Sequence, residues 1–344
     1  MVNLFAIDPD IRRARTPPAA LYLDSQMFAH QIERVLRPGW HLAPGSKGTN
    51  LAGRVTPFVL LPGVVDAPLV LTCAEDRKLR CLSNVCTHRA NLVVEEAGAR
   101  EGLRCRYHGR RFSLTGRFQS MPEFEGLEGF PSVEDDLPEL ELGQLGALTF
   151  VSLAPHVGFE TWTQGVRDRT PEGSLSSLQF VSSRDYEVNA HWALYVENFL
   201  EGFHIPFVHA DLNRAVDYDA YRTDLFSWGS VQIALSPEGE PAASYFWLFP
   251  STMLNVYPWG VSVNAVVPLG IDRTRIHFET WSHDGAVTTS AASSDLDKVE
   301  LEDEAIVENV QRGVRSPLYR RGRYSPKRET GVHHFHRLLA GALG

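Results

Sequence analysis

The 344-residue chain has only four cysteines, four methionines and no apolar run long enough to span a bilayer. So few thiols exclude a disulfide scaffold and argue against an oxidising compartment. The start, Met1 to Pro9, has neither a basic region nor an apolar stretch of the export type, so the expected location is the cytoplasm, with no membrane contact. Positive charge is also scarce: 33 basic against 42 acidic residues give a net charge of −9, which excludes a general affinity for nucleic acid or anionic lipid. Repeats and low-complexity tracts are absent as well. What the chain does have is apolar residues, 43% of the total, enough for two domains with substantial cores.

Two of the scarce cysteines stand beside histidines, in Cys86-Thr87-His88 and Cys105-Arg106-Tyr107-His108. A [2Fe–2S] cluster of the Rieske kind takes two thiolates on one iron and two imidazoles on the other, so each ligand loop contributes one Cys and one His. Both loops here do. Replacing two thiolates with neutral imidazoles raises the cluster's potential and suits it to relaying electrons. The rival is a zinc site, which normally draws both cysteines from one turn and both histidines from another segment. Cys73 and Cys81 lack histidine partners and read as small packing residues.

A Rieske electron carrier needs on the order of a hundred residues, so the rest of this chain has another task. The stretch Glu197 to His209 concentrates two histidines, two carboxylates and Asn198 among apolar neighbours. On an α-helix Glu197, Glu201 and His204 share a face. Pro206 is expected to end or kink that helix between His204 and His209, which could bring both imidazoles to one ion. Two histidines and one carboxylate with open positions suit non-haem Fe(II) and its reaction with O₂. The third ligand is sought in a helix read over Ser294 to Gly313, capped by Ser293 or Ser294, with Asp295 and Asp297 in its first turn. Asp303 falls inside the apolar stripe Leu296, Val299, Ile306, Val307, Val310, and Glu302 toward its edge. A carboxylate on a buried face requires a partner, either a metal or an internal Arg.

The run Cys105-x-x-His108-Gly109-x-x-Phe112, followed by the turn at Gly116, resembles the Rieske domain of ring-hydroxylating oxygenases, a domain that ferredoxins share. With Glu201-x-x-His204-x-x-x-x-His209 and the later Glu302-Asp303 to Gly313, most of the chain resembles a Rieske non-haem iron oxygenase α subunit. That resemblance implies an α+β protein: an N-terminal all-β Rieske domain and a C-terminal catalytic domain with a helix-grip antiparallel sheet. Cys86, His88, Cys105 and His108 would bind the [2Fe–2S] cluster, and His204, His209 and Asp303 the mononuclear Fe(II), with O₂ as co-substrate. Glu201 would link that iron to the cluster of a neighbouring subunit, and Asn198 would support the site. A homotrimer and a separate reductase or ferredoxin donor are implied too. Most relatives carry Asp at the linking position; Glu201 is similar to the members that act on choline, carnitine and related quaternary amines.

The expected division is 1–39, a helical segment packing on the catalytic domain; 40–155, the Rieske domain; and 156–344, the catalytic domain. A helix is read over Ser25 to Leu36, capped by Asp24 or Ser25 and ended by Pro38-Gly39. Strands are read at Val55–Leu61, Leu69–Cys73, Leu79–Leu82 and Ala147–Leu153, and from Tyr218 to Trp281 as a sheet with helices on one face. The expected reaction is reductive O₂ activation on a small organic substrate, with an amine favoured by Glu201, leading to N-demethylation or C–N cleavage. The alternatives are an arene-hydroxylating dioxygenase and a non-catalytic Rieske carrier. Phe203, Phe207, Tyr245, Phe246, Trp247, Phe249, Tyr257 and Trp259 are the candidate pocket aromatics. Basic groups Arg100 to Arg117 and Arg312 to Arg328 suggest either partner steering or salt bridging. His333, His334 and His336 lie near the C-terminus, where a polar end is expected.

Overall fold

The computed structural model describes residues 5–44, 51–283 and 292–344. Its first half is built from antiparallel strands. His41–Leu42 pairs with Leu148–Ser152, which is followed in order by Glu139–Leu145, Leu79–Ser83, Ala67–Cys73, Arg54–Leu60 and Gly98–Ala99. A smaller sheet of Leu103–Arg104, Arg111–Phe112 and Phe118–Ser120 stands beside it. Its short strands are anchored by Val55, Val70, Leu82, Leu103 and Phe112, all almost wholly buried in one apolar cluster with Cys86 and Cys105.

The second half is a seven-stranded antiparallel meander. Arg222–Phe226, Gly229–Leu235, Pro241–Leu248, Thr252–Tyr257, Gly260–Gly270 and Arg273–Ser282 follow one another, and the earlier strand Gln179–Val188 closes the far edge. Alternation explains why both faces of this sheet are dry. Trp247 and Met253 pack with Trp192 and Phe335 on one side, whereas Phe246, Leu248 and Leu254 pack with Phe150 and Trp162 on the other. The second face is therefore covered by the helix Phe159–Arg167 and the Leu148–Ser152 strand. Helices do not occupy one face alone, as the sequence suggested.

Asp24 caps the Ser25–Gln31 helix, its carboxylate accepting from Met27 N at 2.8 Å, and a π-turn continues it to Leu36 before Pro38-Gly39. Cys73 and Cys81 are fully buried. The C-terminal Thr330–Leu343 is a packed helix and not a polar tail. His333 Nε2 lies 2.8 Å from Asp8 O, His334 Nε2 2.9 Å from Phe226 O and His336 Nδ1 2.7 Å from the Tyr324 hydroxyl. Three histidines with three separate partners do not form a metal site.

The late helix runs Ala292–Val314, and the side chains of its first residues, including the expected caps, Asp295, Leu296 and Asp297, lie outside the described residues. Its buried face is Glu300, Val307, Gln311 and Val314, while Ile306 and Val310 are exposed. The apolar count misplaced this face because two of its members are polar. Tyr195 OH donates to both Glu300 oxygens, at 2.9 and 2.8 Å, and Gln311 Oε1 accepts from His191 N at 2.9 Å. Buried polar groups with such partners are tolerated.

Most of the arginines are clamps. Arg110 pairs with Asp135, Arg117 with Asp136, and Arg315 with Asp272. Arg321 and Arg323 donate to backbone carbonyls of the N-terminal segment, tying it to the C-terminal region.

Candidate active site

Cys86–Asn91 and Cys105–Arg110 fold as the same loop twice. In each the Cys N–H donates to the carbonyl five residues on (Asn91 O and Arg110 O, both 2.9 Å), and the Cys carbonyl accepts from the residue four on (Ala90 N 3.0 Å, Gly109 N 3.1 Å). The fourth residue has positive φ in both, +56° at Ala90 and +77° at Gly109. Glycine is the relaxed choice there, and Ala90 carries the strain. Cys86 and Cys105 are buried to 3% and 2% exposure, while His108 is exposed and its ring centroid lies 4.8 Å from that of His88. Burial pushes the Cys86 thiol pKa up, and the adjacent Cys105 thiol adds to the shift. Asn91 Nδ2 donates to Cys105 Sγ at 3.6 Å.

The two thiols adjoin each other, and the two imidazoles stand together. Among the described residues, His204, His209 and Asp303 are the one group of three or more such ligands whose atoms all lie within 4.8 Å of one another. Two sulfurs and two imidazoles in separate pairs fit a two-iron cluster.

The second constellation is assembled differently. The Trp192–Phe199 helix ends before Glu201, seven residues ahead of Pro206, which begins the next helix, Ile205–Val208. Pro206 is thus a helix start and not a break, as its missing N–H allows. Glu197 does not join Glu201 and His204: it accepts from Tyr22 OH at 2.7 Å and lies 3.0 Å from His336 Nε2. Between the helices Glu201 organises a turn. Its Oε2 accepts from the backbone N–H of Phe203 and of His204, and its Oε1 lies 2.8 Å from His204 Nδ1. Gly202 permits this turn, since a Cβ there would stand 2.6 Å from the Tyr221 ring.

Glu302 plays the matching part for the other imidazole, its Oε2 lying 2.8 Å from His209 Nδ1. Each histidine thus has Nδ1 held by a carboxylate and Nε2 turned inward, the tautomer that leaves a lone pair on Nε2. Both Nε2 atoms face Asp303 Oδ1, at 3.5 Å from His204 and 3.0 Å from His209. Asn198 Nδ2 donates to that same oxygen at 2.7 Å. Two lone pairs converging on an anionic oxygen call for a proton or a cation between them. Burial alone lowers the His209 pKa, yet the hydrogen bonds and charges of Asp303 and then Glu302 outweigh it and raise it. Ligand atoms about 2.1 Å from one ion at near right angles are about 3 Å apart, so the donor set fits a metal. Asp303 faces both imidazoles, and Glu302 stands behind one.

The site opens into a cavity of about 320 Å³. Of the aromatics expected there, Tyr245 and Tyr257 line it, with ring centroids 6.1 Å apart. Phe246, Trp247 and Phe249 are core, Phe203 and Phe207 are 42% and 82% exposed, and Trp259 stacks on Tyr257. Tyr195, Phe199, Tyr221 and Phe278 complete the aromatic lining. Sequence reasoning missed these four, and also Glu302's grip on His209; only the pairing of distant segments reveals them. The wall also carries Glu201, Asp211, Glu300, Glu302 and Asp303 against one cation, Lys298. Burial raises Glu300 to about 8 against the pull of the Tyr195 hydrogen bond.

Two known families match this chain. One, described as ring hydroxylating alpha subunit (catalytic domain), covers residues 175–344; the other, the Rieske [2Fe-2S] domain, covers residues 60–131. The chloroplastic choline monooxygenase of Arabidopsis thaliana is 28% identical over 366 aligned positions, 96% of this chain and 84% of that protein. The carnitine monooxygenase oxygenase subunit of Escherichia coli K12 is also 28% identical, over 96% of this chain and 94% of its own length. Among solved structures, the quaternary ammonium Rieske monooxygenase CntA with L-carnitine superposes with a TM-score of 0.85 at 23% identity, covering 99% of this chain and 100% of that one. Naphthalene 1,2-dioxygenase with bound indole gives 0.77 at 14% identity, covering 100% and 95%. No helix among the described residues is long and apolar enough to cross a membrane.

Proposed function

Since the chain belongs to the Rieske-type ring-hydroxylating oxygenase α subunits, oxidoreductases that use O₂ and transferred electrons, we propose that it oxidises a small quaternary or tertiary amine at a carbon beside nitrogen. The products would be those of N-demethylation or C–N cleavage. A Rieske [2Fe–2S] cluster supplies electrons to such an enzyme, and a mononuclear Fe(II) supplies the capacity to activate O₂. In this reading Cys86, His88, Cys105 and His108 hold the cluster, and His204, His209 and Asp303 hold the iron. Glu201 and Glu302 fix the two imidazoles by their Nδ1 atoms, and Asn198 fixes Asp303.

The amine reading rests on the character of the cavity. Tyrosine faces and four carboxylates, beside a Glu300 that burial keeps largely protonated at neutral pH, surround a space with one lysine. A cation gains from both the ring faces and the negative field, whereas a neutral arene gains only from the rings. The names of the two relatives agree with that choice.

Three further parts belong to this proposal. The exposed face of the second cluster loop, with His108 and Tyr107 outward, suits delivery to a neighbouring copy, hence a homotrimer with Glu201 at the junction. The donor is a separate reductase or ferredoxin. The four cysteines form no disulfide, which is consistent with the cytoplasm, and the separate sheet systems support divisions near residues 40 and 156.

The test is product analysis on the iron-loaded enzyme with a reductase, NADH and O₂. Formaldehyde or another aldehyde from trimethylammonium compounds is expected. Diol or phenol from naphthalene, with no aldehyde from any amine, would overturn the amine reading in favour of arene oxidation.

A further inference from the structure

Four side chains outside the cavity form a buried chain that the proposed reaction leaves unused. Tyr22 OH donates to Glu197 Oε1 at 2.7 Å, His336 Nε2 lies 3.0 Å from the same oxygen, and His336 Nδ1 lies 2.7 Å from the Tyr324 hydroxyl. Tyr22, Tyr324 and His336 are 3%, 6% and 0% exposed. The imidazole nitrogen that faces a carboxylate carries the proton, so Nδ1 presents its lone pair and the Tyr324 hydroxyl donates to it. The Nε2 contact with Glu197 is out of line for a hydrogen bond, and it strengthens when the ring gains a charge.

Burial, and then the charge of Glu197, push both phenols far above the ordinary tyrosine value, so neither ionises by itself. An electron leaves such a phenol only together with its proton, which requires a base already in contact. Tyr324 has one in His336. The cavity tyrosines do not: the Tyr245 and Tyr257 phenols are hydrogen-bonded to each other, Tyr221 OH donates to the Gln232 amide oxygen at 3.2 Å, and Tyr195 OH donates to Glu300, which burial keeps largely protonated.

The chain also reaches the metal ligands. Glu197 directly precedes Asn198 on the Trp192–Phe199 helix, and Asn198 Nδ2 donates to Asp303 Oδ1 at 2.7 Å. At its other end Tyr319 is 37% exposed and near enough for its charge to act on both Tyr22 and Tyr324. A run of hydrogen bonds and side-chain contacts thus joins Asp303 to the surface.

We infer that Tyr324, with His336 as its proton acceptor, is a redox site that gives an electron to the iron centre when O₂ has been activated and no substrate is there to be oxidised. The Tyr324 O–H bond breaks: the electron reduces the iron centre by one equivalent, and the proton crosses to His336 Nδ1, where Glu197 stabilises the imidazolium. The phenoxyl is then reduced, by way of Tyr319, by a thiol in solution, and the proton returns from His336. Over two such rounds two thiols become one disulfide, and the two protons they release balance those taken up as oxygen leaves as water. Oxidising equivalents spent in this way are kept from Met and Cys side chains, which oxidise readily. The inference lies beyond the amine reading and holds equally for an arene substrate.

The test uses the cluster- and iron-loaded enzyme, mixed with hydrogen peroxide in the absence of any amine, freeze-quenched and read by electron paramagnetic resonance. A tyrosyl radical is expected in the wild type and its loss in Tyr324→Phe. Fluorination of the Tyr324 ring keeps the phenol in place and should add fluorine splitting to the signal, so the assignment does not depend on a variant that loses a hydrogen bond. Tyr245→Phe should leave the signal unchanged. Inactivation by peroxide should be faster in Tyr324→Phe than in the wild type. Absence of a tyrosyl radical in the wild type, its survival in Tyr324→Phe, or its loss in Tyr245→Phe overturns the inference, and each of these leaves the amine reading standing.

Discussion

The two constellations are built on opposite plans. The Cys86 and Cys105 loops are each closed by their own backbone hydrogen bonds within six residues, and one pattern serves twice. The His204, His209 and Asp303 set joins a turn to a helix nearly a hundred residues later, and side chains hold it: Asn198 to Asp303, Glu201 to His204, Glu302 to His209. A loop closed by backbone bonds tolerates change in its surroundings. A set held by side chains depends on every member of the network. The difference teaches where each site is vulnerable.

The largest effect should come from the convergent set. Asp303→Ala or His209→Ala is expected to lower turnover by at least about a thousandfold and remove the mononuclear iron, since a metal site seldom survives loss of one of three protein ligands. The visible spectrum of the cluster should persist. If the cluster bleaches in step, the two sites are not independent in the way their construction implies. Cys105→Ser should do the reverse, losing the cluster spectrum and keeping the His/Asp iron.

Removing a supporting carboxylate should cost less. Glu302→Gln keeps the size of the side chain but weakens the hold on His209 Nδ1, and a drop of about 10- to 100-fold in iron affinity or turnover is expected. Iron titration followed by mass spectrometry reads it directly. An unchanged affinity would mean that the distance of 2.8 Å is a packing contact without influence on the ligand.

The backbone-closed loop has its own weak point in Arg110. It is 2% exposed, donates to Asp135 Oδ1 at 2.6 Å and lies 4.8 Å from the Phe118 ring centroid. Arg110→Ala leaves Asp135 without its partner, and about 3 kcal/mol of destabilisation is expected from breaking such a pair. Denaturant melts that follow the cluster absorbance should register this loss.

The smallest effect concerns pH. Burial holds His191 near pKa 3 and His41 near 4. Between pH 6.5 and those values the unfolded chain binds protons that the native chain refuses, so stability falls as pH falls across that window. His191→Asn keeps a capping group at the start of the Trp192–Phe199 helix and removes the titration. Its stability against pH should be flatter below 6.5, by up to about 1.4 kcal/mol per unit. Urea midpoints at pH 7 and pH 5 measure it.

Much of this was legible in the chain. Cysteine scarcity made the two Cys/His pairs conspicuous, and glycine at position 109 announced the positive φ of the second loop. The strands read at Leu79–Leu82 and Ala147–Leu153 stand in the structure as Leu79–Ser83 and Leu148–Ser152. Less visible was anything that depended on a partner far along the chain. Glu197 and Glu201 look equivalent in the sequence, yet one serves Tyr22 and His336 and the other His204. Gln179–Val188 was not read as a distinct strand, because it finds its place only on the far edge of the meander.

Ligand chemistry and local loop geometry were therefore written in the order of residues, because a backbone-closed loop needs only its own few positions. The tertiary structure alone decided that Asp303 faces both imidazoles with Glu302 behind one, and that Glu300 and Gln311 belong to the buried face of their helix. Those outcomes turn on a helix's rotation and a sheet's register, which are set by the summed packing of many distant side chains and leave no signature in any short stretch of sequence.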